Sequence, residues 1–296
     1  MKPTGSLYDR RRFVQKLGTV AASLYGLASL GACVSRPPMP DKLAEGILWQ
    51  LDDTTLDLQG NWDRMGARTL LIQWSALNGV SFVEGGGPWP QAERLPDWHG
   101  IARQPWAREV ILGLAGYSDE NAARANFADL VEVSVQLARL PTPLNVVGWY
   151  FPVEIDSSWQ EARQLGPLLS RLPRPLWLSL YDSANVGAQT LVDWLDEWLP
   201  PDVGILFQDG VGVHARTAAV ARQHADVLVQ RLGRQRVRLI AEAFRPRPGL
   251  GSGFRPATAP ELRAQLRFYE GLPVYLFDGP HYLPESLVNE MVLNPA

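Results

Sequence analysis

Eight short, near-continuous apolar runs recur along the chain, and most are followed by a segment in which apolar residues return every three or four positions. Runs of this kind read as parallel strands buried on both faces, since only a strand covered on both sides is apolar at successive positions. They occupy 46–52, 69–75, 110–117, 146–156, 176–182, 203–209, 237–244 and 274–278. The wider spacing predicts helices over 120–140, 159–172, 188–199, 217–232 and 259–269, with shorter or weaker helices after the first, second and eighth runs. Ser118-Asp119-Glu120 and Thr258-Ala259-Pro260-Glu261 supply side-chain oxygens for the free amides of a first helical turn, and Gly233, Gly271 and Pro173 are stops.

Eight strand-then-helix units of this size predict an α/β protein with a single (β/α)8 TIM barrel. An open doubly wound sheet calls for a Gly-rich phosphate turn after its first strand, and none follows Asp52. The competing arrangement is a shorter open sheet in which one or two of the runs are loops.

Positions 1–33 depart from this pattern and read as an address. Arg10-Arg11-Arg12-Phe13 precedes an Ala/Leu/Gly-rich apolar stretch over 17–32, which resembles a bacterial twin-arginine export signal. The stretch closes on Leu30-Gly31-Ala32-Cys33, which resembles a lipoprotein signal with Cys33 as the lipid attachment site. The alternatives are a chance Leu-x-x-Cys and a transmembrane anchor, although the run falls short of the roughly 20 residues needed to span a bilayer. Arg36-Pro37-Pro38-Met39-Pro40 reads as a stiff extended tether over 34–41, leaving 42–296 as one barrel domain. The expected location is therefore the cell envelope, facing the periplasm, with the membrane contacted through an N-terminal lipid only.

Composition narrows the chemistry. Cys33 is the only cysteine, which excludes an intramolecular disulfide framework and a Cys-rich zinc site. The net charge is −3 and no Lys/Arg run follows the N-terminal segment, so no nucleic-acid partner is expected. Eleven tryptophans matter more, because indole faces stack on sugar rings as readily as they fill cores.

Reactive groups of barrel enzymes project from the C-terminal strand ends. Here those ends read Gln73-Trp74-Ser75, Gly116-Tyr117, Tyr150 to Asp156, Tyr181-Asp182, Gln208-Asp209-Gly210, Glu242-Ala243-Phe244 and Asp278-Gly279-Pro280-His281. Glu154 and Glu242 each interrupt a run that would otherwise bury completely, and an unpaired charge there is costly. Glycoside cleavage needs two carboxyl groups flanking the bond, and a barrel can supply them from two strands. The other reading of each is a buried carboxylate paired with an arginine such as Arg245, or a loop residue facing water.

Asp156 shares strand parity with Glu154, so it either faces the same side or caps the helix expected near Trp159. Gln208 and Asp209 are suited to sugar hydroxyls or to holding an acid, and Gly210 and Gly212 to a close backbone approach. Asp182 and Asp278 recur beside aromatic neighbours as substrate contacts or loop caps. Trp74, Tyr117, Tyr150, Tyr181, Phe244 and Tyr282 are candidate stacking platforms or packing for the barrel top. His214 and His281 lie near Asp209 and Asp278, yet no metal-ligand spacing is present, so neither metal nor cofactor is expected. Loops over 78–97 and 245–260 are long enough to shape a cleft.

With Glu154 ending the fourth strand and Glu242 in the seventh, the chain resembles the clan A glycoside hydrolases. That resemblance implies Glu154 as general acid/base and Glu242 as nucleophile, with a retaining outcome at a carboxyl separation of about 5 to 5.5 Å. The chain departs from the clan in carrying Val153 where an Asn usually precedes the strand-four glutamate. Gly148-Trp149-Tyr150-Phe151-Pro152-Val153-Glu154-Ile155-Asp156 and Phe207-Gln208-Asp209-Gly210-Val211-Gly212 more closely resemble a bacterial barrel family of unknown function, itself similar to those hydrolases. The implied partner is a polysaccharide or oligosaccharide, and the implied activity is retaining hydrolysis of a bacterial surface or secreted polysaccharide. The alternative is a noncatalytic polysaccharide-binding or envelope assembly protein.

Overall fold

In a computed structural model of the protein, the described residues are 42–249 and 253–293. The twin-arginine segment, Cys33 and the Pro-rich tether lie outside them, as does Gly251. Among the described residues no helix is long and apolar enough to cross a membrane.

All eight apolar runs form strands: β1 (Gly46–Trp49), β2 (Thr69–Ile72), β3 (Glu109–Gly113), β4 (Val146–Asp156), β5 (Leu176–Tyr181), β6 (Val203–Gln208), β7 (Val237–Glu242) and β8 (Val274–Phe277). They pair in parallel in sequence order, and β1 closes on β8, so the sheet is a barrel and the competing open sheet is excluded. Helices cover the outside, with an apolar layer between them and the outward strand faces.

One inward side chain from each strand fills the barrel: Leu48, Leu71, Ile111, Tyr150, Trp177, Leu206, Ile240 and Tyr275. Trp177 takes up the space that Gly148 and Gly204 leave open; a Cβ on either would sit 2.3 or 2.4 Å from its indole. This layer seals the interior, so anything binding at the barrel mouth meets the residues two positions further along each strand.

The expected helices form with local revisions. The segment over 120–140 is two helices, Glu120–Ala125 and Phe127–Leu137, divided at Asn126, whose Nδ2 donates to the Ala122 carbonyl at 2.8 Å. Asp119 caps the first by accepting from the Ala122 amide at 2.7 Å, and Thr258 opens Ala259–Leu266 with a reciprocal capping box to Glu261. The two expected loops are partly strand. Val80–Ser81 pairs with Ala76–Leu77, which also pairs with Ala115–Gly116, while Phe244–Pro246 and Phe254–Pro256 make a hairpin. Both pairings are short and depend on distant partners, so no apolar periodicity announces them.

Candidate active site

Directly above the apolar layer the inward residues turn polar: Gln73 follows Leu71, Ser179 follows Trp177, Gln208 follows Leu206 and Glu242 follows Ile240, each two positions on. In β4 the register shifts, so that Phe151 faces Leu178 but Glu154 faces Ser179. The two extra residues lift Glu154 into this polar layer.

Glu154 is 8% exposed. Its Oε2 accepts from Gln208 Nε2, which also reaches Ser179 Oγ at 2.6 Å, so one amide ties β4, β5 and β6 together. The Glu154 amide donates to Glu120 Oε1 at 3.0 Å, and Arg124 donates to the Glu154 carbonyl while pairing with Glu120 at 3.3 Å. The irregular end of β4 is thus held by an ion pair from the helix that follows β3.

Glu242 is 5% exposed. The loop after β6 passes over it: the Val213 amide donates to Glu242 Oε2 at 3.2 Å, and a Cβ on Gly212 would lie 2.8 Å from the Glu242 Cβ. Gly212 therefore permits a close approach to an acid rather than to a ligand. Burial, and then the charge of Asp209, push the Glu242 pKa up to about 8, against the amides of Val213 and Gly212 and the charge of Arg216. At neutral pH this side chain is a protonated acid. Arg245 does not pair with its carboxyl; it donates to the main-chain carbonyls of Glu242 and Phe244 and to Gln265 Oε1.

Tyr181 lies within the field of both acids. Burial raises its pKa, and Glu242 and Glu154 add to the effect. Arg216 stacks over its ring at 5.3 Å and donates to the carbonyls of Gln208, Asp209 and Asp182. Glu154, Tyr181, Gln208 and Glu242 are therefore gathered at one place on the barrel mouth.

Other expected contacts are placed elsewhere. Tyr150 belongs to the sealed apolar layer, and Trp74 is buried with its Nε1 on the Leu51 carbonyl at 2.7 Å, so neither presents a face to a sugar. Asp209 is 0% exposed and points out of the barrel. Asp156 braces two loops, accepting from Ser158 N at 2.8 Å and Ser183 N at 2.7 Å. Asp182 accepts from the Val186 and Gly187 amides and His224; burial raises its pKa, but those bonds outweigh it and leave the carboxyl below its usual range. Tyr117 is half-buried against Trp89, with ring centres 6.0 Å apart. Phe244 is buried among Phe254, Phe277 and Tyr282.

Asp278 is buried and joins a second cluster at the mouth. His281 Nδ1 lies 2.7 Å from Asp278 Oδ2, and its Nε2 lies 3.3 Å from Asp52 Oδ2. Burial opposes the charge on His281, but the two carboxylates override it and raise its pKa to about 10. Burial likewise opposes ionisation of Asp52, and His281 and Thr54 override it to hold its pKa at about 2. At neutral pH the ring is a cation clamped between Asp52 and Asp278, which ties the first and last strand ends together. His214 is exposed and Asp209 is sealed away, so the four groups considered for a metal do not converge; among the described residues no set of three suits a metal ion.

Comparison with known proteins bears on the fold. No family model matches the chain, and no curated protein matches it. Among solved structures it is similar to a protein provisionally assigned as an alpha-L-fucosidase from Bacteroides thetaiotaomicron, at 15% identity and a TM-score of 0.54, over 88% of this chain and 95% of that one. It is also similar to the PgaB (BpsB) glycoside hydrolase domain from Bordetella bronchiseptica, at 12% identity and a TM-score of 0.49, over 84% and 99%. At these identities the likeness is one of fold.

Proposed function

We propose that the protein is a glycoside hydrolase-like barrel acting on a bacterial surface or secreted polysaccharide, with Glu154 and Glu242 as its carboxyl pair. The observation that carries this reading is the placement of two buried carboxyls in the polar layer directly above the plug, one bonded to Gln208 and both within the field of Tyr181. The fold shared with the fucosidase-like protein agrees with it.

The electrostatics favour a division of roles opposite to that implied by the clan resemblance. Glu242 carries a proton at neutral pH, as a general acid must. Its carboxyl is positioned by the Val213 and Gly212 amides of the loop after β6. Glu154 is then the second carboxylate, steadied by Gln208 for attack on the anomeric carbon or on water. Val153 is fully buried and cannot hold a sugar 2-hydroxyl; the half-buried Gln208 beside Glu154 takes that place.

Val153 and the loop over Glu242 also support the second reading, a polysaccharide-binding or assembly protein without catalysis. Incubating the protein with a panel of bacterial exopolysaccharides, while scoring both binding and newly formed reducing ends, separates the two. Cleavage supports the enzyme; tight binding with intact polymer replaces it with the binding module.

The proposed setting is the cell envelope, with positions 1–33 as an export signal and a lipid on Cys33. Loss of membrane association in Cys33→Ser tests it, and an equally membrane-bound variant contradicts it.

A further inference from the structure

Asp209 directly follows β6 with its side chain outside the barrel, fully buried, and four donors meet it there. Val211 N and Glu242 N reach Oδ1, each at 3.2 Å, and Tyr269 OH reaches Oδ2 at 2.8 Å, alongside Gln265 Nε2. Gln265 in turn is fixed by Arg245 and donates to the Glu242 carbonyl at 3.3 Å. So elaborate a seal around a group that no substrate can touch, wrapped on the backbone of one particular glutamate, calls for a reason.

We infer that Asp209 is a positioning residue for Glu242: a carboxylate sealed behind the barrel wall that fixes the Glu242 backbone and opposes a second negative charge on its side chain. The inference rests on the reading of Glu242 as proton donor. Burial raises the Asp209 pKa, while its four donors work to keep it ionised. Glu242 has fewer partners and is the member of the pair that keeps its proton. The other groups facing Glu242 are Glu154 from β4 and Tyr181 from β5 at the mouth, Arg216 from the loop after β6, which opposes the effect, and Tyr269 and Arg245 on the outer side. None but Asp209 brings a negative charge against the Glu242 backbone.

The test is a pH titration of folding stability in wild type, Asp209→Asn, Glu242→Gln and the double variant. Subtracting the curves with and without Glu242→Gln isolates the Glu242 titration in each background. In the wild-type background its midpoint lies near 8; in Asp209→Asn it moves at least about one pH unit toward acid, a tenfold change in proton affinity. Should Asp209→Asn not fold, Tyr269→Phe keeps the carboxylate but removes one donor, so Asp209 takes up a proton more readily and the midpoint moves the same way by less. A midpoint unmoved in the folded variant overturns the proposal. A wild-type protein that cuts no polysaccharide sinks the reaction but leaves this titration as it is, so the two failures are distinguishable.

Discussion

The amide of Glu242 donates to Oδ1 of Asp209 at 3.2 Å, so one acid outside the barrel wall holds the backbone of another whose side chain faces the mouth. The wall between them is a single strand thick. Strand alternation makes this possible: Gln208 and Glu242 point inward while Asp209, one residue on, points out.

A buried acid with a raised pKa costs stability above its ordinary range. The folded state binds the Glu242 proton up to about pH 8 and the unfolded chain releases it near 4.5, so this group's contribution falls as pH rises from 4.5 to 8. Glu242→Gln removes that loss. Its melting temperature is expected to exceed the wild type's by a few degrees at pH 8 to 9, with the gap closing below pH 4.5; a variant less stable than wild type at pH 9 contradicts this.

The His281 clamp has the opposite dependence. Its folded pKa of about 10 lies above the ordinary 6.5, so its stabilisation is complete below 6.5 and lost as pH rises through 10. Asp52, held at about 2, contributes above 3.8 and loses its contribution as pH falls through 2. His281→Gln is therefore expected to destabilise most between pH 4 and 6.5, by about 1–3 kcal/mol for two stranded buried acids. Denaturant melts at pH 5 and pH 10 check it, and an equal loss at both contradicts it.

Glu120 acts on Glu154 through the backbone. Glu120→Ala leaves the Glu154 amide without this acceptor and Arg124 without its carboxylate, at a cost of about 1–3 kcal/mol. Polysaccharide cleavage should fall even where the variant remains folded at low temperature, because the extra residues of β4 lose their brace. Full activity in folded Glu120→Ala would show that the brace serves stability alone.

The plug below the site is sensitive to a single methyl. In Gly204→Ala the new Cβ would lie 2.4 Å from the Trp177 indole nitrogen and 3.0 Å from the Arg236 carbonyl. Overpacking of this kind costs about 1–3 kcal/mol, readable as a lowered denaturation midpoint. An unchanged midpoint would mean that Trp177 can move aside.

The barrel was legible because parallel strands advertise themselves as apolar runs; β4 occupies the full expected span, Val146–Asp156. Glu154 and Glu242 stood out for the same reason, as charges inside such runs. Depth was not legible. Tyr150 and Trp74 lie near strand ends, but one falls in the plug and the other behind a strand. Alternation between Gln208 and Asp209 was available as a signal that only one of them faces the mouth. The residues that seal Asp209, Gln265 and Tyr269, come from the helix Ala259–Leu266 and the turn after it, 56 and 60 positions away, and no local pattern connects them.

The most direct test of the central claim is the rate of polysaccharide cleavage by wild type, Glu154→Gln and Glu242→Gln, each shown to be folded. The two-carboxylate account predicts that each substitution lowers kcat by about 10²- to 10⁴-fold, and that the wild-type rate declines on the alkaline side near pH 8 as Glu242 loses its proton. Cleavage that survives either substitution at close to the wild-type rate contradicts it.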